Sequence, residues 1–532
     1  MRLAGSNAIG VLARRPYWVI ALVSAVLAYI QATRHALESV DEGLYAQISK
    51  EMALGGDWLT MHWTGQPWFG KPPLFMWLVA VSYRFLGVSE FASRLPSALL
   101  TILLVCLIFA TARRVANQRT AWIAVALACT SPTILKQAVF CTTDIVVAAA
   151  LMAAIYIHLR HGARGFTAVS LCFSAAYMAK SAAAPVAFVG LAPFVLYALW
   201  RDRPRFWTRL FAGAALAAAV ILPWHLIMYG WYGNAFLEQN LGYHVLKRVT
   251  ADVEGNGRGP SYYFWALGYY FTSQYVWLLP MAAATIWTWK PGDAGRIAPL
   301  AASGLVILAV ITLMTTKLFW YLFPAIPPLV IVAAYGVDRV LESRNALALA
   351  LLAAAFGLGL SDPVRVSVLA AAAAGAGLAA FLFRQDAARA AVAGAGVVLF
   401  GFAAIRTANT IASHQPLPAD MLARLAGAAR KAGPDDRNPA FVAEGRTGMA
   451  WTFYTGRAWC AAEEVPAVAA EFPAAQLDKC LETNESLHVM VPERLLARVE
   501  SDPRVRQVEK VPGFAYLRFT RANGTPAPAP AQ

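Results

Sequence analysis

Residues 92–112 read A-S-R-L-P-S-A-L-L-T-I-L-L-V-C-L-I-F-A-T-A and run directly into Arg113-Arg114. An apolar run of this length matches the ~20 residues a helix needs to cross the hydrocarbon core of a bilayer. Comparable runs recur near 17–33, 120–138, 144–160, 166–182, 184–200, 210–228, 266–287, 298–315, 319–336, 346–360, 365–383 and 391–406. Together they predict about thirteen spans. Composition agrees: 59% of residues are hydrophobic and only 14% charged, with a mean hydropathy of +0.51. The fold class expected is therefore an all-α polytopic membrane bundle. The run 17–33 ends without a small-x-small cleavage site and reads as a retained first span. The segment Leu74 to Leu86 is apolar but short, and suits a helix lying in the interface.

The net charge of +15 does not indicate nucleic acid, because the basic residues sit in short loops between apolar runs. Arg14-Arg15, Arg113-Arg114-Arg119, Arg160-Arg164, Arg201-Arg203-Arg205-Arg209, Lys290-Arg296, Arg339-Arg344 and Arg384-Arg389 fall on one side if the spans alternate. The positive-inside rule makes that side cytoplasmic, as is the N-terminus. An odd number of spans then sends the C-terminal part outside. Residues 1–406 form the membrane module in this scheme, with an outer loop at 34–91. Residues 407–523 are charged and Pro-punctuated, and form a small α/β domain; 524–532 are a Pro/Ala-rich tail. Strands are expected at 440–443, 487–491 and 514–519, and helices at 421–431 and 493–499. Cys460 and Cys480 would pair if this domain faces an oxidising compartment, while spacing alone leaves the matter open.

Ionisable residues at membrane depth are costly, so those that remain are candidates for function. The outer set comprises Asp41-Glu42, His62, Lys71, Asp144, Lys180, His244, Lys247-Arg248, Arg258 and Lys317. Acids and bases gather at one face while span interiors stay nearly free of charge. That pattern favours a site at the outer interface over the transmembrane path of a lipid-linked-sugar transporter. A non-catalytic lipid-binding scaffold would keep the cations and tolerate loss of the acid. Bland roles stand beside each candidate. Asp41 and Asp144 could cap helices, and Lys180 and Lys317 could snorkel.

The loop 34–91 has the most specific pattern. It runs V-D-E-G-L-Y-A-Q-I-S-K-E-M, G-G-D-W-L-T, W-F-G-K-P-P-L-F-M-W and E-F-A-S-R-L-P-S in that order. With Thr142-Thr143-Asp144, Ala179-Lys180, Gly259-Pro260-Ser261-Tyr262-Tyr263, Thr316-Lys317 and Tyr321-Leu322-Phe323-Pro324, it resembles the GT-C glycosyltransferases of the ArnT/protein O-mannosyltransferase group. The strongest likeness is to bacterial aminoarabinose lipid A transferases. Trp451 to Arg457, W-T-F-Y-T-G-R, resembles that group's periplasmic domain.

The resemblance implies an inner-membrane enzyme with a polyprenyl-phosphate-sugar donor and a lipid or glycan acceptor, lipid A or lipopolysaccharide first. A protein hydroxyl is the alternative acceptor. Membrane lipids are further partners, nucleic acid is not, and a monomer is expected. Asp41 matches the group's catalytic acid and is assigned the base. Asp144 matches a second acid that orients acceptor or sugar. Lys71, Lys180, Arg248, Arg258 and Lys317 would contact the donor phosphate, with a hydrogen bond added by Tyr321. Two departures stand out: Leu44 where the group often has Arg, and Gly70 where the aminoarabinose enzymes have a Glu associated with a divalent metal. The metal candidates left are Asp41, Asp144 and His244.

Overall fold

The computed structural model describes residues 41–129, 131–201, 203–247, 250–252, 256–263, 294–342, 440–442, 471–511 and 514–521, with Tyr17, Leu37, Phe453, Tyr454 and Cys460 placed beside them. The runs near 266–287, 346–360, 365–383 and 391–406, most of 17–33, and the helix expected at 421–431 lie outside the described residues.

The described part is mostly helical. Helix α1 (Asp41–Gly55) opens the first loop, with Asp41 and Glu42 in its first turn. It stops at Gly56, whose φ of +79° suits a residue without Cβ and whose N–H returns to the Met52 carbonyl at 3.1 Å. A two-stranded hairpin follows, β1 (His62–Trp63) and β2 (Gln66–Pro67). Its turn residues Thr64 and Gly65 both have positive φ, 53° and 81°, the geometry that matches strand twist in tight hairpins. Helix α2 (Leu74–Leu86) buries Phe75, Met76, Val79 and Tyr83 on one side and exposes Leu78, Val81 and Phe85 on the other.

The membrane helices then follow: α3 (Glu90–Val115), α4 (Gln118–Cys129), α5 (Pro132–Val139), α6 (Asp144–His161) and α7 (Phe166–Ala179). They continue with α8 (Ala183–Phe188), α9 (Ala192–Arg201), α10 (Arg203–Leu237), α11 (Ala294–Leu313) and α12 (Ile326–Glu342). Six segments among the described residues are long and apolar enough to cross a membrane. Two expected single helices are interrupted. The run 120–138 breaks before Ser131, whose side chain caps the new helix α5 through the Ile134 N–H. The run 184–200 passes through a 3-10 turn at Val189–Leu191. The run beginning at 319 opens as a 3-10 stretch, Phe319–Ala325, before α12.

Packing sorts these helices. The apolar window of 319–342 is 83% buried, whereas that of 206–243 is only 17% buried. The first is the bundle's core helix and the second presents its side to the surroundings. Helices α6 and α7 pack as a hairpin, α3 lies against α4 and α6, and α10 lies along α7.

The two ends of the bundle differ in chemistry. At one end, Asp338 of α12 is fully buried and accepts from Asn117 Nδ2 at 2.8 Å, Thr120 Oγ1 at 2.6 Å and the Arg119 guanidinium. Arg114 Nε donates to the Leu159 carbonyl at 2.9 Å. The basic loops after α3 and α6 therefore meet, as the alternation of spans requires. Asp144 starts α6, about 27 Å of helix away.

Beyond the bundle lies a four-stranded sheet in the order β3-β4-β6-β5 (Ala440–Val442, Ser486–Pro492, Phe514–Thr520, Val505–Val511). The β3–β4 pair is parallel and the other two are antiparallel. Helix α13 (Ala474–Thr483) and the short α14 (Glu493–Leu496) pack against it. Three of these strands coincide with those expected; β5 and α13 were not anticipated. Cys460 and Cys480 are joined in a disulfide, Cα–Cα 6.0 Å.

Candidate active site

The first loop is organised by its own polar residues. Asp57, in G-G-D-W-L-T, is a turn residue: Oδ1 accepts from the N–H groups of Leu59 at 3.0 Å and Thr60 at 2.9 Å. Glu51 on α1 accepts from the N–H of Thr64 at 2.8 Å and of Gly65 at 3.0 Å, which pins the hairpin turn to the helix. Pro72 and Pro73 fix the backbone ahead of α2, and the half-buried Lys71 stands just before them.

Asp41 is the first residue of α1 and is partly exposed. Among the described residues its carboxylate has no hydrogen-bond or ion-pair partner. Its neighbour Glu42 is buried and was not assigned a role from the sequence. Glu42 receives a bidentate hydrogen bond from Arg94, Nε to Oε1 at 2.8 Å and Nη2 to Oε2 at 3.1 Å. Its Oε1 also accepts the N–H of Cys141 at 3.0 Å. One carboxylate thus ties the start of α1, the start of α3 and the strand-like turn leading to Asp144. The signal for this was present in D-E and R-L-P-S, two motifs that each carry one charge into apolar surroundings.

Asp144 and Lys180 were expected to act separately. The structure brings them together: Lys180 Nζ donates to Oδ1 at 2.7 Å and to Oδ2 at 2.8 Å, with both side chains buried. The two residues come from the start of α6 and the end of α7, so the hairpin itself sets the pair.

A third assembly joins Arg258 and Lys317. The stretches 256–258 and 315–317 run side by side, with Lys317 N–H donating to the Asn256 carbonyl at 3.0 Å. Lys317 Nζ donates to the Arg258 carbonyl at 3.0 Å and to that of Met314. Burial pushes its ammonium below the usual lysine range. The Arg258 guanidinium remains exposed beside the Gly257 carbonyl. Tyr321 is half-buried in the 3-10 stretch. Arg248 and the side chain of His244 lie outside the described residues.

Among the described residues no three His, Cys, Asp or Glu side chains converge to hold a metal. Gly70 offers no ligand, and both Asp144 oxygens are engaged by an ammonium.

The C-terminal part reaches this loop directly. Tyr454 accepts the Leu37 N–H at 3.0 Å and donates to Glu90 Oε1 at 2.8 Å. Lys50 of α1 donates to the Phe453 carbonyl at 2.8 Å and lies over the Phe453 ring. Burial, and then the charge of Glu90, push the Tyr454 phenol well above its usual range, so it stays a donor.

Residues 70–227 match the profile of the family described as dolichyl-phosphate-mannose-protein mannosyltransferase. The whole described architecture also overlays a solved structure, ArnT from Cupriavidus metallidurans bound to undecaprenyl phosphate, with a TM-score of 0.69 over 96% of this chain and 98% of that one at 18% identity. The chain has the fold of that structure. Sequence relatives agree. An undecaprenyl phosphate-alpha-4-amino-4-deoxy-L-arabinose arabinosyl transferase of Pseudomonas paraeruginosa is 28% identical over 351 residues, covering 63% of this chain. A second such transferase, of Pseudomonas fluorescens, is 30% identical over 353 residues, 62% of this chain. Each match spans 62% of the relative's own length. The likeness is therefore carried by part of the chain in sequence and by nearly the whole chain in fold.

Proposed function

We propose that the chain is an inner-membrane glycosyltransferase that moves a sugar from a polyprenyl-phosphate donor to an envelope acceptor on the periplasmic face. The observation that carries this is a buried carboxylate bridge between the chain beside Asp41 and the turn that leads to Asp144. Glu42 follows Asp41 in sequence and holds the Cys141 N–H three residues before Asp144. In the reaction, an acceptor oxygen attacks the anomeric carbon and the bond from that carbon to the phosphate oxygen breaks. Asp41 takes the acceptor's proton, while the leaving polyprenyl phosphate carries away the electron pair. Fixed cations where that negative charge grows lower the barrier. Lys71, Lys180, Arg248, Arg258 and Lys317 are the candidates, with Tyr321 as a hydrogen-bond donor. Lys180 also keeps Asp144 oriented. A single displacement inverts the anomeric carbon.

About thirteen spans, a cytoplasmic N-terminus and a periplasmic C-terminal α/β domain accompany this reading. Support comes from the basic loops meeting at one bundle end and the acids gathering at the other. Among the described residues, the buried carboxylates, Lys and Arg (Glu42, Arg94, Asp144, Lys180, Lys317 and Asp338) lie near helix ends or between helices. That distribution disfavours a transport path through the spans. Lipid A or lipopolysaccharide core is the first acceptor, in keeping with the relatives. A protein hydroxyl is the second, favoured by the profile match over 70–227.

Asp41→Asn keeps size and capping ability and tests the core assignment. Transfer from a synthetic polyprenyl-phosphate donor should fall about 10²- to 10⁴-fold while donor binding persists. Full transfer by this variant would remove Asp41 from the mechanism.

A further inference from the structure

We infer that Gln239 and Asn240 are positioning residues for Lys71, acting through the backbone of Phe69. The inference rests on the proposed role of Lys71 as a donor-phosphate contact. Phe69 N–H donates to Gln239 Oε1 at 2.7 Å, and Asn240 Nδ2 donates to the Phe69 carbonyl at 2.9 Å. Two neighbouring side chains thus satisfy both polar groups of one peptide residue, as a paired strand would.

The surroundings reinforce the grip. The Phe69 ring packs on Tyr232 at 4.8 Å and edge-on to Phe236 at 5.6 Å between centroids. Upstream, Trp224 Nε1 donates to the Leu59 carbonyl at 3.0 Å, and Thr60 Oγ1 lies 3.2 Å from the Tyr232 hydroxyl. The last turns of α10 therefore hold the loop at residues 59, 60 and 69. Downstream, Pro72 and Pro73 restrict the chain. Only Gly70 and Lys71 lie between these fixed points. A lysine ammonium rides on a flexible four-carbon stem, so where it can reach is decided by where its backbone is held.

Local geometry explains why these two residues can act as a pair. Adjacent side chains on an α-helix diverge by about 100°. Here the chain widens into a π-helical stretch, Glu238–Lys247, at the point where Gln239 and Asn240 face Phe69. Such insertions concentrate at functional sites. Asn240 is fully buried, and its Oδ1 has no partner among the described residues. An unpaired buried carbonyl is costly, so packing alone would favour an apolar residue. What requires Asn is the donor on its other arm. Both clamp residues are neutral, so they fix the loop without changing the charge that meets the phosphate.

The test measures equilibrium binding of undecaprenyl phosphate to the full chain in lipid nanodiscs, with sugar transfer followed in parallel. Gln239→Ala should weaken binding roughly fivefold or more. Asn240→Leu removes the donor to the Phe69 carbonyl at nearly unchanged size and charge and should weaken binding, which covers the case of a poorly folded Gln239→Ala. In a Lys71→Ala background the Gln239 change should add nothing, because it acts through the same residue. Wild-type affinity in both clamp variants, or losses that multiply with Lys71→Ala, would overturn the inference. If Lys71→Ala itself binds normally, the assignment of Lys71 fails, and the clamp role fails with it.

Discussion

Lys180 Nζ sits 2.7 and 2.8 Å from the two carboxylate oxygens of Asp144, and the pair is buried between the ends of α6 and α7. Breaking a buried pair from one side leaves an uncompensated charge, at a cost of about 3–5 kcal/mol. Asp144→Asn and Lys180→Met should each destabilise the chain by that order in detergent-based thermal unfolding. The double variant Asp144→Leu/Lys180→Met should recover much of the stability but no sugar transfer. Recovery of transfer would mean the pair is structural alone.

Glu42 should separate binding from chemistry. Glu42→Gln retains an acceptor for the Cys141 N–H but weakens the grip on Arg94, whereas Glu42→Ala loses both. The Ala variant should lose more turnover than the Gln variant, by about fivefold for one neutral hydrogen bond. Donor binding should change little in either, which titration with undecaprenyl phosphate measures. Equal turnover in the two variants would exclude the Cys141 contact as the link between the acids.

Tyr454→Phe removes the donor to Glu90 and the acceptor for Leu37 while keeping the ring. Each lost bond is worth about 1 kcal/mol. Hydrogen exchange should rise in α1 and around Glu90 but not in α6. Reduction of Cys460–Cys480 should give the same pattern more weakly, because that bridge holds the chain six residues beyond Tyr454 to α13. Exchange confined to the sheet after either change would show that the contact does not steady the loop.

Acid should loosen the C-terminal sheet through Asp502. The Arg504 guanidinium beside it holds its carboxyl below the usual carboxylate range. A depressed folded pKa contributes stability above the unfolded value of about 4, and that contribution is lost as pH falls through the lower folded value. Asp502→Asn should therefore lower stability to denaturant at pH 7, by a margin that shrinks as the pH falls below about 4. The effect is modest, since both side chains are partly exposed.

The spans among the described residues, and the charges at their ends, were readable because apolar length and isolated charges are local signals. The interruption before Ser131 was not, since a Ser-Pro step inside an apolar run also occurs in continuous helices. Strand β5, V-R-Q-V-E-K-V, hid because its valines recur every third residue rather than every second, the period that marks a strand. Pairing was the largest gap. Asp144 and Lys180 were each legible as costly residues, but only the α6–α7 hairpin makes them one unit. Gln239 escaped for a related reason: a side chain that acts on a distant backbone N–H leaves no pattern in the sequence around it.

The Tyr454 contact also has a consequence for biosynthesis. The residues it joins are separated by 417 and 364 positions, and the Lys50–Phe453 bond spans 403. At ~5–20 residues per second, translation takes roughly 20 to 80 seconds to cover such gaps. Throughout that interval the first loop has been made but lacks its clasp, so the newborn chain passes through a stage that is inserted yet unfinished.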